Sequence, residues 1–228
     1  MMREDIKSFI SKVQKPGRYT GGETGSVYKN LEDVKMRVAF CFPDTYEIGM
    51  SNLGVRILYH VLNSREDTWA ERAYAPWVDM EACMREENIP LWAHESGDPL
   101  KEFDILGFSI QYELCYTNVL NMLDLAGIPL LSKDRDESYP VIMAGGPCTY
   151  NAEPIADYFD LCMIGEGEEV IDELVSLYKE HKKKGFSKAE YLHEAAKIEG
   201  VYIPSLYTPA YNEDGTLASF TPIYDDIP

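Results

Sequence analysis

Four short segments of this 228-residue chain hold side chains whose types and spacing could do chemistry together: residues 43–52, 109–113, 145–153 and 165–168. They carry Asp44, Tyr46, Glu47 and Gly49; Ser109, Gln111 and Glu113; Gly145, Gly146, Thr149 and Glu153; and Gly165, Glu166 and Glu168. None of the four contains a lysine or an arginine. Phosphate ligands want backbone N–H groups free of neighbouring carboxylates, and neither GxxxxGK[ST] nor GxGxxG occurs here. The segments suit a large, nearly neutral ligand held by backbone, hydroxyls and shape. Gly145 and Gly146 permit positive φ and close backbone approach, whether to a ligand or within a bare tight turn. Ser109 can hydrogen-bond a ligand or its own backbone, Asp44 can close an Asx-type turn, and Glu166 and Glu168 suit the first turn of a helix.

These segments fall at the ends of strand-like runs. MRVAFCF, a strand over residues 71–75, DILGFSI, YPVIMAGG and FDLCMIG are apolar runs of the kind buried on both faces of a parallel sheet. Between them lie helical patterns: Leu53, Ile57, Leu58, Val61 and Leu62 behind Ser51 or Asn52, then residues 77–87, ELCYTNVLNMLDLAG, and GEGEEVIDELVSLYKEHKKK. Alternation of this kind predicts an α/β protein: a doubly wound, flavodoxin-like sheet of five parallel strands with helices on both faces. IPLWA reads as an extra edge strand or as connection. The domain spans residues 36–182. It is preceded by a helix-and-loop arm, 1–35, in which Ile6, Phe9, Ile10 and Val13 have helical spacing, and followed by an extension, 183–228, with a Ser187/Glu190 capping box and a β-hairpin around Asp214-Gly215. In such a sheet ligands bind at the carboxyl ends of the strands, where the strand order reverses. A phosphoryl-receiver site is excluded, since the third strand leads into Ser109-Ile110-Gln111 and the fifth into Gly165-Glu166-Gly167.

At these residues the chain resembles a known family. Asp44-Thr45-Tyr46-Glu47-Ile48-Gly49 resembles the D-x-H-x-x-G signature of cobalamin-binding domains, with tyrosine at the histidine position. Ser109-Ile110-Gln111 is similar to that family's S-x-L element, and Gly145-Gly146 to its double glycine. GGPCTYNAEPIADYFDLCMIGEGEE is similar to the GGP-x-T, PE and GEGE elements of the cobalamin-binding half of radical S-adenosylmethionine (radical SAM) enzymes. RYTGGETGSVYKN, PDTYEIGMSNLGVRILYHVLN and DILGFSIQYELCYTNVLNMLDLAGIPLL resemble one uncharacterised subgroup of them. The resemblance implies a cobalamin bordered by Asp44, Tyr46, Gly49, Ser109, Gln111, Gly145, Gly146, Thr149, Gly165 and Glu166, and a radical methyl transfer or rearrangement in a downstream barrel. A neutral phenol is a poor cobalt ligand, so Tyr46 either stacks on or hydrogen-bonds a base-off cobalamin, or packs beneath the first loop. One alternative is a domain of the same fold that binds no cobalamin and serves protein or substrate interaction. Another, an FMN-binding flavodoxin-like protein, is disfavoured by the acidic loops.

The five cysteines (Cys41, Cys83, Cys115, Cys148 and Cys162) include no CxxxCxxC. The resemblance therefore places the [4Fe-4S] cluster and S-adenosylmethionine in a catalytic part beyond Pro228, with the radical SAM domain as partner and the substrate unknown. His60, His94, His181 and His193 share no metal-ligand spacing and read as structural or exposed, and Trp69, Trp77 and Trp92 as core or interface anchors. Formal net charge is −18, with +3 in residues 1–37 and −21 in the remainder. Such a chain is unsuited to gripping nucleic acid or anionic membrane. A charged start and the lack of an apolar run of membrane-spanning length indicate a cytoplasmic protein.

Overall fold

The computed structural model describes residues 6–228. Its centre is a six-stranded sheet in the order β2-β1-β3-β4-β5-β6, formed by β1 (Met36–Phe42), β2 (Thr68–Tyr74), β3 (Ile105–Ser109), β4 (Val141–Gly145), β5 (Leu161–Met163) and β6 (Val201–Tyr202). The first five strands pair in parallel, as a doubly wound, flavodoxin-like sheet requires. β6 adds an antiparallel edge, pairing Met163 with Val201 and Cys162 with Tyr202. The hairpin expected around Asp214-Gly215 is formed by β7 (Tyr207–Tyr211) and β8 (Leu217–Pro222), a separate two-stranded sheet.

Period-two alternation in the strands sorts the core into two layers. On β1, Met36, Val38, Phe40 and Phe42 face one layer, together with Ile105, Val141, Met143 and Leu161. Covering them are α2 (Leu53–Asn63), α5 (Gly167–Lys184) and α6 (Lys188–Ala195), through side chains such as Val55, Leu62, Leu174 and Tyr191. Ala39, Cys41, Leu106, Phe108, Ile142 and Ala144 face the other layer, under α3 (Val78–Glu87) and α4 (Tyr116–Leu125).

Some boundaries differ from the expected ones, while the α2 cap and the IPLWA segment each take one of the two forms expected of them. The first loop contains a six-residue helix, α1 (Tyr46–Ser51), and the cap of α2 is Asn52, whose Oδ1 accepts from the Val55 amide at 2.9 Å. Trp77 is the N-cap of α3 and not its first residue. IPLWA is connection, with one bridge between Trp92 and Pro99. The N-terminal stripe forms two separate 3-10 turns, Ile6–Ser8 and Ile10–Lys12, instead of one α-helix; the first five residues of the arm lie outside the described residues. A segment this short is a marginal helix on its own, so packing decides its path: Ile6, Phe9 and Val13 are all buried in the layer under α3 and α4.

The arm then runs along β2, the outermost strand. The Tyr59 hydroxyl accepts from the Val27 amide at 2.7 Å, and Trp69 Nε1 donates to the Val27 carbonyl at 3.0 Å. Lys29 Nζ donates to the carbonyls of Asn63, Arg65 and Thr68. The segment after IPLWA completes the cover: the His94 amide donates to the Arg72 carbonyl at 2.6 Å, while buried Glu95 pairs with buried Arg72 at 2.6 Å. Every residue of β2 is consequently buried although the strand lies at an edge. Among the described residues no helix is long and apolar enough to cross a membrane.

Candidate functional site

Strand order reverses between β1 and β3, so the crevice beyond their carboxyl ends is where a ligand is expected. The protein bridges that crevice itself. Tyr112 Oη donates to Asp44 Oδ2 at 2.9 Å, and Asn118 Nδ2 donates to the Pro43 carbonyl at 2.9 Å. Asp44 Oδ1 also accepts from the adjacent Thr45 amide at 2.6 Å, one residue on, whereas the expected Asx-type turn would take the amide two residues on.

Next along the edge, Gln111 Nε2 donates to Ser109 Oγ at 2.8 Å, and the Ile110 amide donates to the Gly145 carbonyl at 2.8 Å. Gly146 has φ +95°, and a Cβ there would lie 2.7 Å from the Ile110 carbonyl oxygen. Gly146 thus lets the β3 and β4 loops pass one another at backbone distance, whereas Gly145 has no positive φ and its Cβ position lies nearest the flexible Met163 side chain, at 3.3 Å. Buried Thr149 sits with Oγ1 2.8 Å from the carbonyls of both Gly146 and Met163, fastening the β4 loop to the end of β5. Gly165 has φ +108° with open space around its Cβ position, and exposed Glu166 caps α5 without a side-chain hydrogen bond. The structure therefore brings Asp44, Ser109, Gln111, Gly145, Gly146 and Thr149 to one edge, with Gly165 and Glu166 after β5 at the same end. Gly49 stands apart, packed inward: a Cβ there would collide with the Tyr74 ring.

Tyr46 packs beneath the first loop. Its hydroxyl donates to Glu23 Oε1 at 3.1 Å, and the same oxygen lies 2.6 Å from His94 Nε2. The Tyr46 ring centroid is 5.3 Å from that of His94 and 5.4 Å from that of Tyr74. Burial, reinforced by the Glu23 carboxylate, pushes the Tyr46 phenol up to about 12. Burial also pulls His94 below its ordinary value, although Glu23 opposes this. The cleft around this cluster is only about 20 Å³, room for one water.

Sequence reasoning missed Glu23, His94 and two nearby cations. Arg18 and Lys15, from the arm, both reach Glu47 of α1 at about 3 Å, so the carboxyl edge is not free of basic groups. Gly21 held a faint signal: with φ +65°, its Cβ position lies 2.8 Å from the His94 carbonyl oxygen, where the arm crosses the connection.

The polar groups of this edge are mostly engaged with each other, but the large apolar ones are not. Ile48, Leu53, Trp77, Val78, Tyr112, Leu114 and Tyr150 are exposed, Leu114 to 84% and Tyr150 to 75%. All follow the carboxyl ends of β1 to β4.

A family model described as radical SAM proteins, N-terminal, matches residues 54–204. An uncharacterized protein of Methanocaldococcus jannaschii is 28% identical over 180 residues, covering 76% of this chain and 33% of that protein. The chain spans about a third of the length of this curated relative.

Proposed function

The chain belongs to the family of radical SAM N-terminal regions, and from that premise we propose that it is the positioning domain of a radical SAM enzyme, with the carboxyl edge of its sheet turned toward the catalytic domain. The observation carrying this reading is the exposed apolar surface from Ile48 to Tyr150 at the end of the sheet where doubly wound folds act. The [4Fe-4S] cluster and S-adenosylmethionine belong, in this reading, to the catalytic domain. The chain's task is to orient a reactant against it and to exclude water there.

The finer reading places a cobalamin on this edge. A flat corrin suits an exposed apolar platform, bordered by Asp44, Ser109, Gln111, Gly145, Gly146 and Thr149 and reaching toward Gly165 and Glu166. A bound cobalamin would supply methyl-transfer or rearrangement chemistry. Tyr46 does not fit as its cobalt ligand, because the phenol is held by Glu23 and kept protonated by burial. Titration with hydroxocobalamin tests this reading: a shifted absorption spectrum and co-elution with the folded chain are expected. An unchanged spectrum and separate elution reject cobalamin.

A second reading, in which the edge meets the catalytic domain directly, is favoured by the Tyr112–Asp44 bridge across the crevice. Under it, Leu114→Ser combined with Tyr150→Ser weakens association with the separately produced catalytic domain in the absence of any corrin. Unchanged association rejects that surface.

A further inference from the structure

The opposite, amino edge of the sheet holds a cavity of about 340 Å³, between the segment preceding β4, α6 and the turn before β7. Roughly ten heavy atoms fit such a space at a water's ~30 Å³ each. Leu192, Leu206 and Tyr224 supply apolar wall, and Arg135, Asp160 and Lys188 also line it.

Charges at this edge are generally paired. Lys179 meets Asp67 at 2.8 Å and Lys182 meets Asp104 at 2.7 Å. Within the cavity, buried Arg135 meets buried Asp160 at 3.1 Å, and the second Asp160 oxygen accepts from the Ile142 amide at 2.7 Å. Arg135 Nη1 and Nη2 donate to three backbone carbonyls, while its Nε has no partner among the described residues.

Lys188 is different. The residue is only 7% exposed, yet among the described residues its ammonium makes one long hydrogen bond, 3.5 Å to the Pro140 carbonyl. An ammonium has three donors, and a buried charge without a partner is costly. Burial lowers its pKa and the Arg135 charge lowers it further, while Asp160, Glu137 and Asp136 oppose that from beyond ion-pair distance. Exposed Asp136 is already engaged by the Ser138 amide and hydroxyl. Lys188 is also the first residue of α6, so the positive end of an eight-residue helix adds to the same potential.

We propose that this cavity binds a small monocarboxylate with an apolar body, its carboxylate on the Lys188 ammonium and its body against Leu192, Leu206 and Tyr224. Asp136 and Glu137, exposed beside the cavity, select against dianions and polyphosphates by repulsion. The site is independent of the cobalamin reading, since it lies at the other end of the strands.

Benzoate titrated into the intact chain, followed by two-dimensional amide NMR, tests it. Concentration-dependent shifts are expected for the amides of residues 188–192. Lys188→Met should weaken binding at least tenfold, and Lys188→Arg should keep it within a few-fold. If Lys188→Met does not fold, Leu206→Trp, which fills the cavity from a half-buried wall position, should abolish the shifts. Inorganic phosphate is the second probe and should bind more weakly than benzoate. Absence of shifts with wild-type protein, unchanged affinity in the folded Lys188→Met or Leu206→Trp variant, or tighter binding of phosphate would each overturn the proposal.

Discussion

The two ends of the same sheet are built on opposite principles. At the carboxyl edge, Asp44, Tyr46, Ser109, Gln111 and Thr149 are hydrogen-bonded within the protein, while Leu114, Tyr150 and their apolar neighbours face outward. At the amino edge, buried Leu192, half-buried Leu206 and exposed Tyr224 wall a cavity, and among the described residues one buried ammonium there has a single long hydrogen bond. A partner for the first must bring apolar area. A partner for the second must bring a negative charge. Parallel strands leave their two ends chemically unlike, because all the loops at one end follow strands and all those at the other precede them.

The contrast can be broken most forcefully at Gly146. Valine there must adopt φ +95° and crowd the Ile110 carbonyl, so Gly146→Val should cost about 3 kcal/mol or more in urea unfolding. A loss below 1 kcal/mol would mean that the β3 and β4 loops separate easily and that the crevice can open for a ligand. Tyr46→Phe is a milder perturbation. Removing a half-buried hydroxyl from Glu23 should cost about 1 kcal/mol by the same measurement, and any cobalamin uptake should be unaffected. Reduced uptake would return Tyr46 to the list of ligand contacts.

Leu114→Ser should change stability by less than about 0.5 kcal/mol, because the side chain already faces water. A larger loss would show that Leu114 packs against the fold, and the apolar platform would shrink accordingly. The smallest expected effect lies at the amino edge. Hydrogen bonding from Lys179 holds the Asp67 carboxyl down at about 2 against an ordinary 3.8. Its contribution is complete above about pH 4 and is lost as pH falls toward 2. Lys179→Met should therefore flatten the fall of Tm between pH 4 and pH 2. An unaltered acid limb would show that pairing at this edge is electrostatically idle, and would weaken the contrast with Lys188.

Much of this arrangement can be read from local pattern. Five apolar runs, each followed by helical spacing, lead directly to the parallel sheet and to the end where its loops gather. β6 escapes that reading because two residues carry no periodicity, and because its pairing is set by the turn of Gly200, where φ is +84° and a Cβ would lie 2.7 Å from the Ile164 carbonyl oxygen. Tyr46 is visible as a candidate, but its partners are not. His94 is 71 residues from Glu23, and only the arm folding back along β2 brings them together. Lys188 is equally silent in sequence, where it looks like any first-turn lysine; its isolation arises from Pro140 and the cavity wall, contributed by distant segments.

The cover along β2 has a consequence for how molecules of this protein meet one another. A bare outer strand is a template onto which a second chain can hydrogen-bond and from which fibres can grow. Here Val27, Lys29 and the segment through His94 and Glu95 lie along that strand, and at the far side the sheet ends on the two residues of β6. The hairpin is the opposite case: β8 is exposed along its whole length. Strand-to-strand growth, as in a domain-swapped or fibrillar assembly, would therefore start from β7 and β8, and would leave the six-stranded sheet unaltered.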